Sequence, residues 1–244
     1  MASNPPGECC MKGFMHEGTP VGEVVQFAEA ETYITKPASG STEKVLLLLT
    51  DVLGINNNPK LIADDFAKNG YTVVMPDLFA GDKVPPQAER KPDFQLPEWL
   101  EKHQPHHVIP IIQKVLGQIR AEFNPRKIGA LGYCFGAKYV TQLLAGDIDA
   151  GYTAHPSFVT LDELAAVKGP LAISAAETDS LFTPDLRHAS EAKLAEIKAT
   201  YQIILFSGVE HGFAVRCDLK DEWQRWSKEE AFCQAVRWFK LHLA

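Results

Sequence analysis

Lys127-Ile128-Gly129-Ala130-Leu131-Gly132-Tyr133-Cys134-Phe135-Gly136 decides the fold. Residues 127–132 form a short apolar run that suits a buried strand. Gly132-Tyr133-Cys134-Phe135-Gly136 then has the form of two glycines flanking a nucleophile, with a helix predicted to begin straight after Cys134. A strand that turns sharply into a helix holds its central residue in strained backbone geometry, and the chain passes without collision only where the neighbours lack bulk. The turn lifts the thiol clear of the sheet and aims it at the helix N-terminus, where unpaired amides and the helix dipole favour thiolate.

Outward from this stretch, Val45-Leu46-Leu47-Leu48-Leu49-Thr50 is continuously apolar, as a central strand buried on both faces requires. A helix around Leu61–Lys68 stops at Asn69-Gly70, and a strand over Tyr71–Met75 completes a β-α-β crossover. Val108, Ile111, Ile112, Val115, Leu116 and Ile119 follow a helical stripe ended by Asn124-Pro125. Further strands are expected at 149–154, 170–175 and 201–206, a helix at 184–198, and a closing helix at 222–243 that packs Trp223, Trp226, Ala231, Val236 and Phe239 on the sheet. The alternation implies an α/β fold, a mostly parallel central sheet with helices on both faces, in a single domain spanning 1–244. Residues 81–105, rich in proline and charge, read as an excursion or lid.

Composition narrows the function. The chain has 244 residues, and a fold of this size removes roughly 70–75% of its unfolded surface from water, so stability demands no disulfide or metal. With 24 Lys+Arg against 31 Asp+Glu the net charge is −7, which argues against a nucleic-acid partner. No export signal or membrane span is visible. The 5 cysteines form an odd set without a CxxC pattern, which points to a reducing cytoplasm. Adjacent Cys9 and Cys10 read either as a metal or redox pair or as plain thiols near the N-terminus. His103, His106 and His107 lack a matching cluster for metal, so neither a metal nor a cofactor is expected.

Asp179 and His211 complete a chemical set. Each follows a predicted strand, and the order nucleophile, acid, histidine is the one used by folds of this type. His211 can take the thiol proton and later deliver one to a leaving group, while Asp179 fixes the tautomer and stabilises the imidazolium. Backbone N–H groups of Phe135 and Val52 are placed to meet an oxyanion.

These residues, with Thr50-Asp51-Val52-Leu53-Gly54, Met75-Pro76-Asp77-Leu78-Phe79 and His211-Gly212-Phe213-Ala214-Val215-Arg216, resemble the dienelactone hydrolase family of α/β-hydrolases, and more closely its fungal-type members. The likeness runs from His16-Glu17-Gly18-Thr19-Pro20 to the last helix. It implies an α/β-hydrolase fold, a Cys134, Asp179, His211 triad, and opening of a lactone, or cleavage of a related activated ester or thioester, through a thioester without metal or cofactor. It also implies that Asp51 is an auxiliary carboxylate holding the resting thiol, in a place where bacterial members carry Glu. Without the resemblance, Asp51 reads as a strand-end carboxylate capping a turn. The bacterial members grip their substrate's carboxylate with two arginines. Gly81 stands at the first such place and Arg216 near the second, where it reads equally as an ion-pair residue. Phe79, Trp99, Phe135, His155, Phe158 and Phe213 are candidate pocket walls, with His155 either meeting substrate or satisfied by backbone. The expected partner is a small lactone or ester. A non-hydrolytic cyclase or ligand-binding protein on this scaffold, and a redox-sensing stress protein using Cys134, stand as alternatives.

Overall fold

A computed structural model describes residues 1–244. Its strands are β1 (Glu23–Phe27), β2 (Ala30–Thr35), β3 (Lys44–Leu49), β4 (Thr72–Pro76), β5 (Lys127–Tyr133), β6 (Ala150–Ala154), β7 (Leu171–Thr178) and β8 (Tyr201–Glu210). The helices are α1 (Asn57–Lys68), α2 (Leu96–Lys102), α3 (Pro105–Gln118), α4 (Phe135–Leu143), α5 (Leu161–Ala165), α6 (Pro184–Glu196), α7 (Phe213–Arg216) and α8 (Glu222–His242). All strands join one 8-stranded sheet in the order β1-β2-β4-β3-β5-β6-β7-β8. The pairings of β2 with β1 and with β4 are antiparallel, and every pairing from β4 through β8 is parallel.

The continuous apolar run of β3 has a simple explanation in the packing. Val45, Leu47 and Leu49 face a core shared with Val108, Ile112 and Val115 of α3 and with Tyr139 and Val140 of α4. Leu46 and Leu48 face a second core, shared with Ile62 and Phe66 of α1 and Ala235 and Phe239 of α8. Both faces of the strand are therefore dry, and period-2 alternation is absent for that reason.

The junction of β5 with α4 is where backbone sterics are tightest. A Cβ on Gly136 would stand 2.2 Å from the Leu49 carbonyl oxygen, and one on Gly132 would stand 2.7 Å from the Gly136 carbonyl. The two glycines thus allow α4 to start directly against β3 and β5. Gly136→Ala is expected to cost about 2 kcal/mol or more, a typical overpacking loss, read as a lower urea midpoint at unchanged slope. A loss within about 0.5 kcal/mol would show that this junction has slack.

Two elements differ from the sequence reading, and the 81–105 excursion gains detail. The β1–β2 hairpin was not anticipated, because its strands are short and polar. Its turn is made by Ala28 (φ 54°) and Glu29 (φ 65°), a left-handed pair without the usual glycine or asparagine signal. Trp223 and Trp226 are not buried in the core, although Trp223 meets the edge strand β8, donating through Nε1 to the Ser207 carbonyl. They stack on each other at 4.8 Å between centroids on the first turns of α8 and stay half-exposed, while Ala231, Val236 and Phe239 bury as expected. The 81–105 excursion carries α2 and is tied down along its length. Val84 N–H donates to the Val52 carbonyl, buried Trp99 donates through Nε1 to the Asp82 carbonyl, and Arg90 donates to the carbonyls of Met11 and Pro85. His103 is buried against Asp82, because the excursion folds back over it.

No helix is long and apolar enough to cross a membrane.

Candidate active site

The carboxyl ends of the parallel strands gather the polar residues that the sequence singles out. Asp51 follows β3, Cys134 follows β5, His155 follows β6, Asp179 follows β7 and His211 follows β8. In open α/β sheets this rim is where ligands bind. The β7–β8 ladder shifts register between Ala176 and Thr178, and the His211 N–H then donates to the Thr178 carbonyl. That bond sets the acid-bearing and histidine-bearing loops side by side.

Cys134 is the N-cap residue of α4, with φ 50° and ψ −108°, a conformation that costs a non-glycine residue energy. Its amide donates to the Ala154 carbonyl, and its own carbonyl accepts from the amides of Ala137 and Ser157. The strain is thus held in place by hydrogen bonds on several sides. The Val52 amide donates to no backbone or side-chain acceptor.

Four side chains form a hydrogen-bonded run. Asp179 Oδ2 accepts from His211 Nδ1 at 2.9 Å, and Asp179 Oδ1 accepts from the amides of Leu181 and Phe182. With Nδ1 fixed by the carboxylate, Nε2 faces the thiols. It lies 3.6 Å from Cys10 Sγ, which is in turn 3.1 Å from Cys134 Sγ. Cys10, His211 and Asp179 therefore have the geometry of a cysteine–histidine–aspartate triad, and Cys134 extends it.

Electrostatics separates the two thiols. Burial opposes a charge on Cys134, but the bond with the Cys10 thiol and the positive His211 and Arg216 outweigh it, holding Cys134 well below the usual thiol range. Burial instead drives Cys10 well above that range, and the adjacent Cys134 adds to it. The proton they share therefore rests on Cys10. Burial also opposes a charge on His211, yet the Cys134 thiolate and the Asp179 hydrogen bond push its pKa up to about 10. Near neutral pH the resting site is a thiolate–imidazolium pair.

Asp51, just after β3, and Arg216, on α7, meet beside Cys134. Asp51 Oδ2 accepts from Arg216 Nη1 and Oδ1 accepts from the Leu53 amide, so Asp51 both caps a turn and forms a buried ion pair. Its influence on Cys134 is through charge, since no hydrogen bond joins them. Arg216, only 4% exposed, also donates through Nε to the Lys12 carbonyl. A guanidinium with two protein partners is not an open carboxylate clamp, though its Nη2 has no partner.

The remaining singled-out residues divide into two groups. Phe79, Trp99 and Phe135 pack together, with Phe79 at 5.3 Å and Trp99 at 6.2 Å from the Phe135 ring. His155 (φ 39°) lies 4.9 Å from the His211 ring and 6.0 Å from Phe213. Both His155 ring nitrogens are buried without partners, so its side chain is not satisfied by backbone. Burial, with the charges of His211 and Arg216, depresses its pKa far below the usual imidazole range and keeps it neutral.

Cys9 and Cys10 are the residues whose place the sequence concealed. They sit on a 3-10 turn, Glu8–Met11, laid across the site by an N-terminal segment. The segment is fastened by the amides of Ala2 and Ser3 to the Val159 carbonyl, by Asn4 to Leu181, and by the Phe14 amide to the Arg216 carbonyl. Under this cover Cys134 is fully buried. A cavity of about 340 Å³, lined in part by Cys9, Lys12, His211 and Arg216, opens beside the turn. The donor atoms of Cys9, Cys10 and His211 lie within 4.8 Å of one another, a set that could hold a soft metal ion. Such an ion would take the Nε2 lone pair and so compete with proton transfer.

Comparison with known proteins agrees with this geometry. The profile of the dienelactone hydrolase family matches residues 30–243. Hydrolase pyvD of Aspergillus violaceofuscus is 47% identical over 245 residues, covering 100% of this chain and 99% of its own. Hydrolase tropI of Talaromyces stipitatus is 44% identical over 253 residues with the same coverage, 100% and 99%. Among solved structures, a putative dienelactone hydrolase from Klebsiella pneumoniae superposes with a TM-score of 0.73 at 16% identity, covering 86% of this chain and 92% of that one, a likeness of fold. The chain belongs to the dienelactone hydrolase family, has the α/β-hydrolase fold, and is a carboxylic ester hydrolase working through a cysteine, a histidine and an aspartate.

Proposed function

We propose that Cys134 is the nucleophile, His211 the acid and base, and Asp179 the residue that orients His211, in a cytoplasmic enzyme that opens a small or medium lactone or cleaves a related activated ester or thioester. The observation that carries this is the strained position of Cys134 between β5 and α4, which faces the start of a helix and ends the hydrogen-bonded run to Asp179. Helix N-terminal amides stabilise negative charge at that spot.

The chemistry follows from the resting ion pair. The Cys134 thiolate attacks the carbonyl carbon, and the oxyanion is met by the amides of Phe135 and Val52. Collapse breaks the acyl C–O bond, and the departing alkoxide takes the Nε2 proton of His211, leaving a thioester. His211, now neutral, removes a proton from water as it attacks the thioester. The second collapse releases the carboxylic acid, which gives its proton to solvent, and Cys134 leaves as thiolate beside a reprotonated imidazole.

For substrate to reach the buried thiol, the 8–11 turn must be displaced, which also withdraws Cys10 from its contacts with Cys134 and His211. Phe79, Trp99 and Phe213 then supply apolar wall, while the unpartnered His155 nitrogens and Arg216 Nη2 are the polar groups free to meet substrate. Because Arg216 is already engaged by Asp51, neutral lactones are favoured over those carrying a carboxylate.

Cys10 offers a second reading, since its thiol is hydrogen-bonded to His211. Its raised pKa and its place on a short turn rather than at a helix start weigh against it. Acyl-enzyme trapping separates the two. After brief reaction with an activated ester and an acid quench, peptide mapping is expected to find the acyl group on Cys134, and acyl label confined to Cys10 would transfer the role. Solvent-oxygen label in the product identifies hydrolysis, and a rearranged product without label identifies a cyclase.

A further inference from the structure

We propose that Cys10 is the resolving thiol of a reversible Cys10–Cys134 disulfide formed by hydroperoxides, a modification site built into the covered state of the enzyme. The proposal rests on the reading of Cys134 as nucleophile for its effect on activity, though the bond itself does not require it.

The two sulfurs are already 3.1 Å apart and hydrogen-bonded, so the bridge needs only about 1 Å of closure to reach the usual S–S length near 2.05 Å. Both side chains are fully buried, and the turn that carries Cys10 is fastened on either side by backbone bonds from Ala2, Ser3, Asn4 and Phe14. The pair is therefore held together rather than meeting by chance. Cys9 lies beside them, its thiol meeting both Cys10 and the Ser180 hydroxyl, the latter at 3.6 Å, while no contact as short as that of Cys10 with Cys134 joins it to either thiol. Cys9 and His211 line a cavity beside the turn, and His211 adjoins Cys10, so this is the side from which a small oxidant would approach. A lactone needs the turn displaced, whereas a peroxide of two heavy atoms needs only a slight opening at its edge. The free enzyme is thus the form in which the second thiol stands guard.

The step balances with a hydroperoxide as oxidant. The Cys134 thiolate attacks the terminal peroxide oxygen and the O–O bond breaks, giving a sulfenic acid at Cys134 and an alkoxide that takes the Nε2 proton of His211. Neutral His211 then accepts the Cys10 thiol proton. The Cys10 thiolate attacks the sulfenyl sulfur, the S–S bond forms, and the S–O bond breaks. The departing hydroxide takes the proton from His211 and leaves as water. Two thiols are oxidised by two electrons, and one peroxide is reduced to an alcohol and water. Without a resolving thiol the sulfenic acid is open to a further peroxide, which yields the irreversible sulfinic acid.

The full chain is treated with a small excess of hydrogen peroxide, quenched with an alkylating agent in denaturant, and mapped by mass spectrometry. The expected result for the wild type is a loss of about 2 Da, a Cys10–Cys134 linked peptide, and loss of esterase activity that dithiothreitol restores to within about twofold. In Cys10→Ser the linked peptide is expected to be absent, with sulfinic acid accumulating at Cys134, and dithiothreitol to restore less than about a tenth of that variant's starting activity. Wild-type Cys134 found as sulfinic acid with Cys10 free, a bridge to Cys9 instead, or full recovery of Cys10→Ser would each overturn the proposal. The wild-type map needs no variant to fold. Esterase activity that survives in Cys134→Ala counts against the nucleophile assignment alone, because the peptide map reads the disulfide independently.

Discussion

Cys134→Ala is expected to lower kcat/KM for an activated ester by about 10⁴-fold or more while the protein folds normally. The size follows from the mechanism. The thioester route divides one difficult displacement into two easier ones, and removing the sulfur removes both. What remains is the binding and electrostatic contribution of the oxyanion site, which by itself leaves only a small residue of catalysis. Cys10 is the group best placed to complicate this result, since its thiol bonds to His211, with Cys9 next to it. If Cys10 served as an alternative nucleophile, Cys134→Ala would retain activity within about tenfold and a new acyl adduct would map to Cys10. The strained backbone at residue 134 makes normal folding a fair expectation, because alanine meets the same φ constraint as cysteine and the surrounding backbone hydrogen bonds do not involve the sulfur.

The second large effect belongs to His211. His211→Ala is expected to reduce turnover by about 10³-fold or more, since the leaving alkoxide and the attacking water both lose their proton partner. Asp179→Asn discriminates further through pH. In the wild type His211 titrates at about 10, so kcat/KM holds a plateau through neutral pH and falls as pH rises through about 10, where the imidazolium that protonates the leaving group is lost. The acidic limb falls where Cys134 gains a proton, well below the ordinary thiol range. Asparagine withdraws a negative charge and a charge-assisted hydrogen bond from the imidazolium. The alkaline limb of Asp179→Asn is therefore expected to move down by about one pH unit or more, alongside a loss of rate. An alkaline limb that stays in place would mean that Asp179 does not support the charge on His211. The profile is best recorded as initial rates, with the protein returned to neutral pH to confirm that each point is reversible.

The strand ends were legible in the sequence because the parallel sheet demands long apolar runs, and β3, β4 and β5 announce themselves in that way. Gly132 and Gly136 were legible because close packing against Leu49 leaves no room for a side chain. Asp179 and His211 could be picked out by their positions after strands, although only the register shift of β7 against β8 explains how they come to bond. The N-terminal turn was not legible. It is held by backbone amides and carbonyls, which leave no periodic pattern of side chains, and Cys9-Cys10 looks the same on a free tail as it does over an active site. The pairing of Asp51 with Arg216 was hidden for another reason. Nothing in the spacing of the two residues says that α7 returns the guanidinium to the end of β3. The β1–β2 hairpin escaped because Ala28 and Glu29 adopt left-handed geometry that neither residue advertises.

All the parallel strands deliver their chemical groups to one rim, and this leaves the opposite rim with another character. The connections that enter β3, β5, β6, β7 and β8 end near Lys44, Lys127, Ala150, Leu171 and Tyr201. None bears a residue of the reacting set. Insertions, deletions and sequence drift can accumulate on that side while the spacing of sulfur, imidazole and carboxylate is preserved by the ladder between them, so divergence among such chains should be lopsided, with length variation tolerated below the sheet and resisted above it.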